Sequence, residues 1–342
     1  MWLNDLARTT RNSLLDFLWR QWTQMGVSGT ATSCDEWVID PEALLLFTME
    51  VGRFDPRLFD EVVDWIACNE RWISLQRLKN LTESWDADVA RRAMVAVARF
   101  ANSVEKRNRW RAISIMEIRS DAEPVPFFLD ADGNPFPVTG MLDEFFSSVG
   151  LLRPPVVIRR MSRRVPMNAG PGMILKLRSL FGLGPRAEVV AYLLTHGSAG
   201  AAEIARAAGY SRPPVQEALN DLVEGGFVLV SRRNKQKSYS VDVERWKTLI
   251  ETGEPLPRWV AWPRVFQALS GLLAFLMEIE NRELSDYMLR SRLLTQSEHL
   301  RDELALAGIA NPFVRPLGLD DAPEEFERRV GVLLDSLHGG GG

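Results

Sequence analysis

Arg186-Ala-Glu-Val-Val-Ala-Tyr-Leu-Leu-Thr-His196, Ala201-Ala-Glu-Ile-Ala-Arg-Ala-Ala208 and Arg212-Pro-Pro-Val-Gln-Glu-Ala-Leu-Asn-Asp-Leu-Val-Glu224 follow one another within a chain of 342 residues. Each has the apolar spacing of a helix. Gly197 stops the first, and Gly209-Tyr210-Ser211 has the length and the glycine of a turn that joins two helices steeply. Val215, Ala218, Leu219 and Leu222 make one apolar stripe on the third run. Its expected partners are Ile204, Ala205, Ala208 and the Val189/Val190/Leu193 face of the first helix. Gly225-Gly226 ends the third run, as glycine does past a helix C-terminus. Phe227-Val-Leu-Val-Ser231 and Ser238-Tyr-Ser-Val241 then read as two strands around the basic turn Arg232-Arg-Asn-Lys-Gln-Lys237.

Two helices, a glycine turn, a third helix and a hairpin are the order of a winged helix-turn-helix. The Ser211-x-Pro213-x-Val215 entry, Leu219 and the Gly226-Phe227 wing entry resemble the MarR/ArsR-type winged-helix transcriptional regulators of bacteria, over roughly a fifth of the chain. That resemblance implies double-stranded DNA as partner, bound by a homodimer with the third helix in the major groove. It would set Arg212, Gln216 and Asn220 nearest base edges, with Glu217 facing a cytosine amino group or repelling phosphate. Ser211 and Arg212 would meet phosphates. In the wing Arg232, Arg233, Lys235 and Lys237 would lie on the backbone or in the minor groove. One local departure matters. If Ser211 caps the helix, the second and third helical residues are Pro213 and Pro214, which carry no N–H, so the usual cap bond cannot form. Phosphate contacts then fall to side chains.

The net charge of −4 looks wrong for such a partner until it is divided. Residues 153–247 hold sixteen Lys/Arg against seven Asp/Glu, a surplus of nine, while 1–152 and 248–342 carry −7 and −6. A local basic patch attracts polyphosphate whatever the global sum. Only six of the 41 basic residues are Lys, an Arg bias in keeping with a GC-rich bacterial genome. Met1-Trp-Leu-Asn-Asp-Leu6 lacks the pattern of a secretory signal, and the most apolar window, 265–279, is too short to span a bilayer. A cytoplasmic protein with no membrane association is expected.

The expected class is mainly α, with all-helical N- and C-terminal regions flanking the winged helix. The expected divisions are a helical region over 1–152, a basic connecting segment over 153–172, the winged helix over 173–247 and a helical region over 258–338. Within the first, Asp5–Met25 is amphipathic, with Trp19 and Trp22 on its apolar face, and Leu58–Leu81 has the outline of a degenerate second helix-turn-helix without the glycine turn. Asp130, Asp132 and Asn134 have the spacing of a calcium loop. With Met141 at the twelfth position instead of Glu, they read as a hairpin turn. Arg153-Pro-Pro-Val-Val-Ile-Arg-Arg-Met-Ser-Arg-Arg-Val-Pro166 holds five arginines and no acid, either an edge strand or an arm reaching phosphates. Arg264–Asp286 and the Trp-bearing N-terminal helix are each read as a dimer interface or as core.

Chemistry finds little support. His196, His299 and His338 stand far apart without ligand spacing, and there is no nucleophile elbow or phosphate loop. No catalytic residue, metal or cofactor is expected. The acidic residues Glu217, Asp221 and Glu224 on the third helix keep a second class open: a protein-interaction module, or an antitoxin-like partner of a neighbouring gene product.

Overall fold

The computed structural model describes residues 2–29, 37–105, 108–118, 123–167, 170–233, 236–250, 256–280, 282, 284–305 and 307–338. The fold is mainly α, as expected, with a small antiparallel sheet in its central region. Five helices form the N-terminal region: α1 (Trp2–Gln24), α2 (Pro41–Val51), α3 (Pro56–Asn69), α4 (Leu75–Glu83) and α5 (Asp88–Glu105). Two single turns, α6 (Arg111–Ser114) and α7 (Glu144–Ser147), follow. Strands β1 (Val125–Pro126) and β2 (Leu151–Leu152) pair in parallel. The sequence marks the helix starts plainly. Asp40 accepts Ala43 N–H at 3.1 Å and Asp55 accepts Leu58 N–H at 3.0 Å. Pro41 and Pro56 take the first helical position, where no N–H is missed.

The centre holds α8 (Met173–Phe181), α9 (Pro185–His196), β3 (Ser198–Ala199), α10 (Ala201–Ala208), α11 (Arg212–Glu224), β4 (Leu229–Arg233), β5 (Gln236–Ser240) and α12 (Val243–Ile250). Helices α13 (Trp262–Glu280), α14 (Asp286–Leu304) and α15 (Ala322–Leu337) complete the fold. The first and last helical regions share one core: α13 lies against α1 and α2, and α15 against α1. Phe266 of α13 stacks on Phe47 of α2 with centroids 4.4 Å apart, and Trp262 meets Phe17 of α1 at 5.3 Å. Trp22 and Trp65 meet edge to face and donate to Thr48 Oγ1 and the Met25 carbonyl at 2.8 and 2.6 Å. The apolar faces of α1 and α13 are therefore packed inside the chain, as the core alternative read from the sequence has it.

Three other expectations are resolved. The 58–81 block is α3, a 3-10 turn (Glu70–Trp72) and α4, whose apolar residues Leu58, Val62, Ile66, Leu78 and Leu81 are buried. It presents no second reading helix. Around 130 the chain does turn: Asp130 Oδ1 accepts Asp132 and Asn134 N–H at 2.8 and 2.9 Å, and Phe136 N–H bonds the Phe128 carbonyl across the hairpin. Residues 153–166 form neither strand nor helix. Of the five arginines there Arg153 is buried, stacked among Phe59, Phe128 and Phe146 at 5.5, 4.9 and 5.1 Å and paired with Asp60 at 2.6 Å. It is core, and only the remaining four face outward.

A buried ionic cluster attaches the winged region to the helical body. Glu42, Arg77, Arg178 and Glu188 are each at most 2% exposed. Arg178 of α8 holds both oxygens of Glu42 and one of Glu188, and donates to the Trp72 carbonyl at 2.7 Å. Arg77 of α4 takes Asp40 and Glu42 and reaches the Ala208 carbonyl at the end of α10, at 2.6 Å. Burial pushes the Glu188 carboxyl above its ordinary value, against the pull of both arginines. For Asp40 burial also acts upward, but the Arg77 charge and bonds prevail and hold it low. Two guanidiniums thus face the carboxyl groups of Asp40, Glu42 and Glu188, and close opposite charge with direct hydrogen bonds is the condition under which such burial is tolerated.

Candidate nucleic-acid interface

α11 starts at Arg212, and the Ser211 side chain makes no cap bond, as the two prolines after Arg212 require. Val215, Ala218, Leu219 and Leu222 are buried against α9 and α10, the partners read from the sequence. The turn into α11 needs its glycine for the backbone conformation. Gly209 has φ +71°, and a Cβ there would sit 3.4 Å from Arg77 Nε. At the far end Phe227 N–H bonds the Leu222 carbonyl at 2.8 Å, with Gly226 at φ +72°, a glycine-terminated helix end.

The wing differs in two respects from the expected hairpin. Its strands run from Leu229↔Ser240 to Arg233↔Gln236, so the first begins two residues later and the second two residues earlier than expected, and both extend into the basic run. A third strand, β3, pairs with β5 to give the order β3-β5-β4. Two residues carry no alternation, so sequence pattern had no means of showing β3. Behind the wing α12 acts as a buttress: Trp246 Nε1 donates to the Phe227 carbonyl at 3.2 Å, and Arg245 lies over the Phe227 ring.

Ser211, Arg212, Glu217 and Asn220 are exposed on α11, and Arg232 and Lys237 are exposed opposite each other on the wing. Gln216 is not free, contrary to the sequence reading. Half-buried, it donates to Tyr239 Oη at 2.9 Å and to Asn220 Oδ1 at 3.0 Å, tying the helix to β5. Asp221 is ion-paired with Arg186 of α9, which leaves Glu217 and Glu224 as the unpaired acids of that face. Lys235 and the Arg233 side chain lie outside the described residues.

Between β3, the starts of α10 and α11, and β5 lies an open groove of about 1010 Å³. The residues lining it come from these elements and from Gly200 between β3 and α10, and no flanking helix lines it among the described residues. Its charged lining is Arg206, Arg212 and Lys237 against Glu203, whose carboxylate accepts the Tyr192 hydroxyl at 3.0 Å. Arg206 escaped the sequence reading, although its place four residues after the outward Ala202 puts it on the same face of α10. His196 stacks on Tyr192 with centroids 3.9 Å apart, and no group of three metal-ligating side chains gathers among the described residues.

A three-helix unit with a glycine turn, a three-stranded sheet and an open cationic groove between its third helix and its wing is a winged helix-turn-helix domain. Residues 180–244 match the family model described as Sugar-specific transcriptional regulator TrmB, and this match, not MarR/ArsR, is where the domain's likeness lies. The match covers about a fifth of the chain. No curated protein and no solved structure matches it. Among the described residues no helix is long and apolar enough to cross a membrane.

Proposed function

We propose that this chain is a DNA-binding transcriptional regulator without enzymatic activity, with residues 173–247 as its DNA-binding unit and the helical regions 1–152 and 258–338 as its body. The observation that carries this reading is the uncovered groove with Arg206, Arg212 and Lys237 on its walls. The likeness of residues 180–244 to a family of transcriptional regulators supports it. Because that match ends at 244, nothing beyond the winged helix is carried over with it.

In this reading the start of α11 enters the major groove. Arg212 and Asn220 address base edges, with Glu217 beside them, and Gln216 acts at one remove by holding Asn220 and Tyr239 in place. Ser211 contacts phosphate, and Arg232, Arg233, Lys235 and Lys237 take the flanking backbone. A two-fold dimer would place two such units about 10 bp apart or a multiple of that. The test is fluorescence anisotropy on duplex DNA over a salt series. The variant Arg206→Ala/Arg212→Ala/Lys237→Ala should flatten the log–log salt dependence by roughly 0.9 unit per lost phosphate contact. Wild type and variant with equal slopes would refute the assignment.

The exposed Glu217 and Glu224 favour one second reading: a protein-interaction module, or an antitoxin-like partner of a neighbouring gene product. Co-purification with that product, lost in Glu217→Lys/Glu224→Lys and kept in the triple variant above, would mark it.

A further inference from the structure

The segment after Arg153 owes its shape to one carboxylate. Asp64 of α3, 2% exposed, accepts four successive backbone N–H groups: Arg159 and Arg160 on Oδ1 at 2.8 and 2.6 Å, Met161 and Ser162 on Oδ2 at 2.9 and 3.2 Å. Arg160 takes φ +54° to bring them round. Successive amides curled in this way form an anion nest, and here the chain's own carboxylate fills it. Further on, Arg163 N–H bonds the Gly26 carbonyl at 2.8 Å, and its own carbonyl accepts Asn69 Nδ2 at 3.2 Å. With the backbone turned inward, Arg159, Arg160, Arg163 and Arg164 are exposed, and among the described residues none of the four pairs with an acidic side chain. A preformed row of exposed guanidiniums attracts whatever polyanion can reach it.

Its position indicates what does. Asn69, which holds Arg163, and Ser74, whose hydroxyl is 3.0 Å from Tyr210 Oη, are five residues apart. Their Cα atoms are thus separated by no more than roughly 19 Å. Tyr210 immediately precedes Ser211, the start of the helix that borders the groove. A duplex presents a charge about every 1.7 Å along its axis, so a duplex that runs on beyond the groove towards α4 offers phosphates at the spacing this arm needs.

We infer that Arg159, Arg160, Arg163 and Arg164 form a second phosphate-binding surface, which grips the duplex outside the winged-helix groove. It rests on the reading that the groove binds DNA. Guanidinium is suited to the task, since its planar fork matches phosphate in two-point geometry.

The test uses the full chain and two duplexes with the same bound core, one of about 12 bp and one of about 30 bp, roughly one and three helical turns. Arg159→Ala/Arg160→Ala/Arg163→Ala/Arg164→Ala leaves the clamped backbone amides intact. On the long duplex it should bind on the order of tenfold more weakly, with a salt slope lower by about two units or more. On the short one it should match wild type within about twofold, and the four-lysine variant should restore most of the slope on the long one, because each lysine keeps the charge. Equal binding by wild type and variant on the long duplex, or equal losses on both, overturns the arm. Arg212→Ala/Lys237→Ala separates the two claims: if it loses binding on both lengths while the arm variant loses none, the groove stands and only the arm falls. A wild-type chain that binds neither duplex overturns both.

Discussion

Arg178 and Glu42, 136 residues apart in sequence, meet as a buried two-point pair, Nη1 to Oε1 at 2.8 Å and Nη2 to Oε2 at 2.7 Å. The pair fixes α8, and with it the winged helix, to the start of α2. Glu42 also accepts Ser74 N–H and an Arg77 bond, so its loss takes a carboxylate from two buried guanidiniums at once, leaving Arg77 with Asp40 and Arg178 with Glu188. Glu42→Gln should cost about 3–5 kcal/mol in urea unfolding. A midpoint equal to wild type would mean that charge does not hold this junction.

Glu188 gives the junction a pH dependence of known sign. Its carboxyl is raised by burial, so the folded state binds a proton that the unfolded state releases near pH 4.5. Its contribution is full below that pH and declines as pH rises through the folded value, where it levels off. Glu188→Gln, which mimics the protonated form, should remove this decline in denaturation curves taken from pH 4.5 to 8. A decline that persists unchanged in the variant would place its source elsewhere.

The two kinds of arginine between 153 and 164 separate cleanly. Arg153→Lys keeps the charge but loses the planar stacking on three phenyl rings, and should lower stability by about 1–2 kcal/mol. The exposed four, replaced by Ala, should each change it by less than about 0.5 kcal/mol. Thermal melts of the five variants decide it; uniform effects would contradict the placement of Arg153.

That contrast also shows where sequence reading stops. The winged helix was legible because its signals are local: glycine at a left-handed turn, an apolar stripe at helical spacing, a hairpin with a basic tip. The calcium-like Asp130 turn was legible for the same reason. Arg153, Gln216 and the dimer question were not. A run of arginines reads as exposed until Phe59, Phe128 and Phe146 arrive from three distant segments to enclose one of them. Gln216 looks free on a helical wheel, yet β5 folds back to present Tyr239 to it. α13 has the same apolar pattern whether α1 or a second subunit covers it, and only the tertiary fold brings α1 there.

Tyr239→Phe tests the helix-to-wing tie directly. Losing one partly buried hydrogen bond should cost about 1 kcal/mol of stability and release Gln216 and Asn220 from a fixed geometry. If α11 reads bases, sequence preference on duplex DNA should broaden while the salt slope stays unchanged. A changed slope with preference intact would assign Tyr239 to the backbone contact instead.

The most direct test of the central claim is selection of duplex DNA from a random library by the full chain, repeated with Arg212→Ala. The account predicts a recovered consensus that Arg212→Ala relaxes at one base pair, by roughly 1–3 kcal/mol. Failure to enrich any sequence, with no retained duplex at low salt, would contradict it.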